Sequence, residues 1–285
     1  MIHLRSPLAV EAKPPKWLRR TLWACGLLLA AHLGYGTIYW AYSLPSERWL
    51  PLDENFESGD LRAWQGLGRR QLCCEHSAQV VSDPIHPDRK VARFELRRED
   101  PLVRGNKRAE MRLPAAHMGD ELVYGISVYL PPAWRDDPLP VNLFQWHSVP
   151  DKLLFEGGPS QPLRLVVIGN QWIIDNLWDA KRVTKFPLLR ETPQGRRVLW
   201  SGPTETGRWV KWEFKVRWAH DTSGLVEIRK DGKLIVSQSG PNTYNDFIAP
   251  YFKFGVYVPS WSYDSMTSPV TSRVAYFDNV HVHRP

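Results

Sequence analysis

The longest regular alternation in the chain runs from Arg208 to Trp218. Val210, Trp212, Phe214, Val216 and Trp218 are apolar, and Lys211, Glu213, Lys215 and Arg217 between them are charged. Successive side chains of a strand point to opposite faces, so a period of two predicts an antiparallel strand with one dry and one wet face. The same reasoning predicts two hairpins. Residues 225–229 and 233–237 are joined through Asp231-Gly232, and residues 163–168 and 171–176 through Gly169-Asn170, dipeptides whose tolerance of positive φ suits tight turns. Residues 55–61 open this region and the apolar-rich stretch 275–282 closes it. No segment after residue 50 keeps a helical period, and many of the 24 prolines punctuate that part of the chain. The pattern predicts an all-β fold, an antiparallel β-sandwich in one domain.

The N-terminal pattern is different. From Thr21 to Ser46 there is no Asp, Glu, Lys or Arg, a run longer than the apolar core of a cleaved signal peptide and long enough to cross a bilayer. Trp17 and Trp23 at one end, with Tyr39, Trp40 and Tyr42 at the other, suit the two interfaces, and the basic flank Lys13 to Arg20 holds its end in the cytoplasm. The expected organisation is a basic cytoplasmic tail (1–20), a transmembrane signal anchor (21–43), a linker (44–52) and the β-domain (53–285). The domain would then face the periplasm from the inner membrane, or be secreted if a peptidase cuts near Ala41 and Ser43.

Three short stretches pair an apolar face with an ionisable one. In Lys107 to Leu113, alternation puts Arg108, Glu110 and Arg112 opposite Ala109, Met111 and Leu113; in Leu143 to His147 it puts Gln145 and His147 opposite Phe144 and Trp146. In Tyr251 to Tyr257, Phe252, Phe254 and Val256 face one way while Tyr251, Lys253 and Tyr257 face the other, with Gly255 leaving a gap for a ligand to approach the backbone. In order and spacing these stretches resemble the Arg-x-Glu-x-Arg, Gln-x-His and Tyr-Phe-Lys-x-Gly-x-Tyr motifs of the alginate-lyase-type jelly-roll polysaccharide lyases. Glucuronan lyases and heparin lyase I are structurally similar to that group. The resemblance covers about residues 50–285.

The resemblance implies a concanavalin A-like jelly roll with one concave sheet, and a lyase that cleaves a uronic-acid-containing polymer by β-elimination to leave an unsaturated uronate end. It implies roles as well. Arg108 and Gln145, with Asn106 as helper, would neutralise the substrate carboxylate and hold the enolate-like charge. Glu110 would orient Arg108 or Arg112. His147, with an ordinary pKa near 6.5, suits removal of the C5 proton, and Tyr257 suits protonation of O4, its pKa lowered by Lys253. Arg112, Tyr251 and Lys253 would bind substrate. Ala109 and Met111 depart from the small hydroxyl and aliphatic positions of the first motif, Trp146 from the aliphatic residue of the second, and Val258-Pro259 from an Asn-Gln pair after the third. These departures put a glucuronan- or glycosaminoglycan-like substrate on a par with alginate.

Composition adjusts this picture. Of the formal +7 charge, residues 1–48 carry +4, so most of the basic bias belongs to targeting and no nucleic-acid partner is expected; the partners are the membrane and an acidic polysaccharide. Fourteen tryptophans suit either sugar stacking or a sandwich core, and Trp172, Trp178 and Trp261, with Tyr244, are candidate subsites. Cys73, Cys74 and His76 lack the further ligands of a zinc site, and the two cysteines are expected to be buried or vicinally bridged thiols in a strand. His86, His117, His281 and His283 are expected to be solvated or capping. No cofactor is required. Glu57 and Asp278, near the first and last strands, could share a structural calcium or serve turn hydrogen bonds. A laminarinase-type hydrolase would need Glu-x-Asp-x-x-Glu, and no Glu-x-Asp occurs. The alternative function is a membrane-tethered, non-catalytic binder of acidic glycan, which would need Arg108 and the aromatics but not His147 together with Tyr257.

Overall fold

The structure is a computed structural model that describes residues 15–45, 50–65, 70–158, 160–186, 192–263 and 268–285. Most of the expected basic tail, residues 1–14, and linker residues 46–49 lie outside the described residues. Among the described residues one helix, α1 (Lys16–Ser43), is long and apolar enough to cross a membrane. The strands follow in chain order: β1 (Leu52–Glu54), β2 (Arg70–Gln71), β3 (Ala78–Ser82), β4 (Lys90–Arg97), β5 (Arg108–Ala115), β6 (Glu121–Tyr129), β7 (Val141–Val149), β8 (Leu163–Ile168), β9 (Gln171–Trp178), β10 (Gly195–Pro203), β11 (Trp209–Arg217), β12 (Leu225–Lys230), β13 (Lys233–Ser239), β14 (Ile248–Tyr257) and β15 (Ser272–His283).

They form two antiparallel sheets. One runs β13-β12-β11-β6-β15-β4-β3, with β1 added to β15; the other runs β10-β9-β8-β7-β14-β5-β2. Apolar residues from both inner faces make one core, in which β11 contributes Val210, Trp212, Phe214 and Val216, the face that alternation assigns to it. Trp146 and Phe144 of β7 meet Phe214 of β11 at ring-centroid distances of 4.8 and 5.6 Å, aromatic contacts that lock one sheet onto the other. The sandwich is thus as predicted. Both hairpins form at the predicted residues, and Asp231 and Gly232 take φ of 50° and 80°, the left-handed pair a two-residue turn requires.

The first and last strands pair, Leu52 opposite Val282. Nearby, Arg89 lies 2.6 Å from Asp278 and 3.7 Å from Glu57, so a guanidinium supplies positive charge at the pair considered for calcium. Cys73 and Cys74 are joined to each other, in a loop after β2 rather than within a strand, and His76 pairs with Asp100 at 3.0 Å. His281 fills the space above Gly125, where a Cβ would fall 1.9 Å from its ring, a packing role. His86, His117 and His283 are exposed. Helix α1 rests on the β-domain: the His32 ring stacks on Phe155 at 3.6 Å, and Gly36 leaves room for Leu153.

Candidate active site

The three polar stretches become neighbours because β14 lies between β7 and β5. In register, Tyr251 faces His147, Lys253 faces Gln145 and Arg112, Gly255 faces Glu110, and Tyr257 faces Arg108 and Asn142. Directly opposed residues share a face, so alternation within each strand and pairing between them assemble one polar surface. Its backing is the apolar set Phe252, Phe254, Val256, Phe144, Trp146, Ala109 and Met111, all in the core.

Glu110 is the hub of that surface. It is 2 % exposed and accepts hydrogen bonds from Gln145 Nε2, from Lys253 Nζ and, at 3.3 Å, from Arg108 Nη1. Lys253 is wholly buried, and burial, partly offset by Glu110, pulls its pKa down to about 8. A buried carboxylate and ammonium tolerate this only as a hydrogen-bonded pair. Arg108 Nη1 also donates to Gln71 of β2 at 3.2 Å. Two polar atoms remain buried without partners, Arg108 Nε and Gln145 Oε1. Because the Glu110 carboxylate can only accept, the Gln145 amide must present Nε2 to it, which leaves Oε1 as a free acceptor beside a free guanidinium donor.

At one end of the row the Arg108 guanidinium lies 4.5 Å from the centre of the Tyr257 ring, and the Tyr257 hydroxyl donates to Asn106 at 3.2 Å. Burial raises the Tyr257 pKa above its ordinary value while Arg108 pulls against the rise. At the other end His147 stacks on Tyr251 at 5.3 Å, and Arg112 sits over the opposite side of the hub with its guanidinium 3.9 Å from the Tyr251 ring. Burial, then the Lys253 charge, pushes His147 down to about 4, so the ring is neutral at neutral pH. Its Nδ1 is 2.9 Å from the Ser148 carbonyl. A carbonyl can only accept, so Nδ1 carries the proton and Nε2 keeps a lone pair.

Residues 56–281 match the family model described as polysaccharide lyase. The chain belongs to the polysaccharide lyase family. No curated protein matches it in sequence. Among solved structures, an endo-β-1,4-glucuronan lyase from the fungus Trichoderma reesei superposes with a TM-score of 0.65 at 19 % identity, over 82 % of this chain and 95 % of that one. Alginate lyase Aly36B gives 0.53 at 13 % identity, over 85 % and 98 %. Alginate lyase A1-II′ gives 0.51 at 12 %, over 76 % and 94 %. At these identities the likeness is one of fold.

In this polysaccharide lyase the structure gathers Arg108, Glu110, Arg112, Gln145, His147, Tyr251, Lys253 and Tyr257 on one sheet, with Asn106 in the turn before β5 bonded to Tyr257, and it revises several expectations. Trp172 is fully buried in the core with its indole N–H donating to Glu205 at 2.8 Å, and Trp261 and Tyr244 are buried too, so none presents a face to a sugar. Trp178 is half-buried, with the Arg197 guanidinium 4.5 Å from its ring and Gly195 clearing space for it. Gly255 serves the fold rather than a ligand: a Cβ there would lie 2.2 Å from the Ala109 carbonyl oxygen of β5. Lys253 is held by Glu110, and the charge that opposes the rise in the Tyr257 pKa is that of Arg108. Glu110 orients Arg108 but not Arg112.

Four further residues of this surface lie outside the three motifs. Arg164 of β8 sits opposite Gln145 and forks onto Asp175 of β9 at 2.7 and 2.8 Å, and it reaches Asn142 at 3.4 Å. Arg196 adds a second pair to Asp175 at 2.7 Å. The signal for Arg164 and Asp175 is present in the sequence, since each is the lone charged residue of its strand in a hairpin already predicted, Arg164 between two leucines and Asp175 between Ile174 and Asn176. Asn142 carries no such signal, because a register shift between Asn142 and Phe144 brings it onto this face against simple alternation.

Proposed function

We propose that this polysaccharide lyase cleaves a uronic-acid-containing polymer by β-elimination on the face built from β5, β14 and β7. The observation that carries the reading is the strand pairing that sets Tyr257, Arg108 and Gln145 around the buried Glu110, within a surface of five basic side chains (Arg108, Arg112, Lys253, Arg164, Arg196) against two carboxylates (Glu110, Asp175). A sugar carboxylate would accept from Arg108 and a sugar hydroxyl would donate to Gln145. Neutralising the carboxylate makes the adjacent C5 proton removable, and the same fixed donors hold the charge that develops on the carboxylate oxygens. Glu110 keeps them fixed. Elimination then breaks the C5–H and C4–O4 bonds and forms a C4–C5 double bond, with a proton delivered to the departing O4.

The register supports Tyr257 as the group at the reacting bonds. Those bonds are adjacent, whereas His147 lies opposite Tyr251, six residues along β14 from Tyr257 and beyond the Lys253–Glu110 pair. As the tyrosinate, Tyr257, with Arg108 over its ring, can take the C5 proton and return it to O4 on the same side of the sugar, which restores the tyrosinate. His147, neutral and with Nε2 free, accepts a substrate hydroxyl or assists the base from the neighbouring sugar. Asn106 positions the Tyr257 hydroxyl. The glucuronan and alginate lyases of like fold agree with a polyuronate as substrate, and α1 would hold the domain at the periplasmic face of the inner membrane.

The test is to incubate the detergent-solubilised chain with a panel of polyuronates and follow ultraviolet absorbance of the double bond conjugated to the carboxylate. Absorbance growing with at least one polyuronate, and lost in Tyr257→Phe, is the expected result. Chain shortening without new absorbance would overturn elimination in favour of hydrolysis.

A further inference from the structure

Three carboxylates meet where β7 ends and β14 begins, beyond His147 and away from Tyr257. Asp151, Glu156 and Asp246 are each at most 6 % exposed, and one oxygen of each lies within 4.8 Å of the other two. Main-chain amides satisfy part of this cluster: Asp151 and Thr184 each donate N–H to Glu156 at 2.8 Å, and Phe247 donates to Asp151 at 3.2 Å. Among the described residues Arg182 is the one cation in contact with a carboxylate of the cluster, 2.8 Å from Asp151 Oδ2. That contact lacks hydrogen-bond geometry, since the guanidinium is turned to Asn245, donating to its carbonyl and side-chain oxygens at 2.6 and 3.1 Å. Lys152 reaches the main-chain carbonyl of Glu156, at 2.7 Å, and not a carboxylate.

One guanidinium is less positive charge than the full ionisation of three buried carboxylates requires. Independent of the charge count, buried oxygens there lack partners. Asp246 Oδ1 has none, and the Thr184 hydroxyl, on the residue whose N–H binds Glu156, is 1 % exposed and has none. Nearly all buried polar atoms are paired in folded proteins, so an orphaned oxygen within the carboxylate cluster, and another on the residue whose N–H binds it, point to a missing positive group. We infer that Asp151, Glu156 and Asp246, with the Thr184 hydroxyl, form a binding site for a calcium ion. The ligands are all hard oxygens, and carboxylates that bind through one or two oxygens suit the flexible six-to-eight coordination of calcium. Magnesium would keep waters for which the buried site offers little room, and a zinc ion would seek imidazole or thiolate. The ion would tie the end of β7, the start of β14 and the segment carrying Thr184 together beside the His147–Tyr251 end of the cleft. The inference does not depend on the reaction proposed above.

Thermal unfolding of the full chain in detergent, stripped with EDTA and read by tryptophan fluorescence, tests it with calcium chloride as the probe. Calcium at about a hundred times its Kd should raise Tm by roughly 5–10 °C, magnesium should raise it far less, and Asp246→Asn should remove the calcium response. Asp278→Asn should keep it, because that residue belongs to the Arg89 site. No response in the wild-type chain, an equal one in Asp246→Asn, or an equal one to magnesium would overturn the assignment. If Asp246→Asn does not fold, calorimetric titration with calcium decides. One ion per chain in both wild type and Asp278→Asn supports the site; no binding in the wild type, or binding lost in Asp278→Asn, overturns it.

Discussion

At the scale of single residues, the proposed chemistry rests on where protons sit. His147 is pushed down to about 4 by burial and by Lys253, and the Tyr257 phenol is pushed up by burial. These shifts predict distinct pH profiles. A base must lose its proton to act, so a histidine with pKa about 4 would give a rate flat between pH 5 and 8, whereas a tyrosine below its pKa gains about tenfold in its active form per pH unit. We expect kcat/KM to keep climbing above pH 8, and a plateau from pH 5 to 8 would place the base on His147. Tyr257→Phe keeps the ring under Arg108 and removes only the hydroxyl; it is expected to lose turnover by a hundredfold or more, roughly the range for removing an acid–base group, with Tm unchanged. His147→Ala should retain measurable turnover. A fully active Tyr257→Phe variant would return this face to glycan binding alone. Glu110→Gln is different in kind, because it leaves the buried Lys253 and Arg108 facing a neutral amide. Breaking such a pair costs about 3–5 kcal/mol, so thermal unfolding should show a large loss of stability alongside the loss of activity.

At the scale of elements, the site is a consequence of strand pairing, and Gly255 shows how closely β14 and β5 are matched. Its φ of 134° and a hypothetical Cβ 2.2 Å from the Ala109 carbonyl oxygen and 2.8 Å from the Glu110 Cα leave no room for any side chain. Gly255→Ala must therefore push β14 off β5 next to Glu110. The backbone conformation alone costs about 1–3 kcal/mol for a non-glycine residue, and we expect both a lower Tm and weakened turnover; a variant with wild-type Tm would contradict the register described. The same pairing explains what could be read in advance. Strict alternation gave Arg108, Glu110 and Arg112 one face and β11 its core face, because those strands run without an extra residue at these positions. It could not place Asn142, which reaches the polar surface through a register shift. In β9, alternation places Trp172 and Ile174 in the core with the buried Asp175 on the opposite face, so the lone carboxylate, not the tryptophan, marked the ligand side. Shape-fitting roles such as that of Gly255, and the meeting of Asp151 with Asp246 across 95 positions of sequence, depend on tertiary contacts that no local period encodes.

At the scale of the molecule, α1 and the sandwich are in contact where the cleft ends. Tyr39 packs with Tyr251 against Ala115, Val149 and Ile248, the Gly36 backbone accommodates Leu153, and Ser43 is buried. Leu154 and Phe155 protrude beside the helix with Phe247 exposed nearby, apolar groups that would sit comfortably near a bilayer surface. These contacts fall at His32, Gly36 and Tyr39, in the middle and last turns of α1, so α1 either packs on the sandwich or buries those turns in lipid, and does not do both at once. With 28 residues, α1 is about 42 Å long against a bilayer's hydrocarbon core of about 30 Å, the length that a retained anchor needs. The prediction is that the mature chain recovered from the membrane fraction keeps α1, so that intact mass and N-terminal peptides include residues before Thr21. An N-terminus between Ala30 and Pro45, with the lyase domain found in the soluble fraction, would show that α1 is removed. The polymer would then be met away from the membrane, with the Tyr251 end of the cleft opened by the loss of Tyr39.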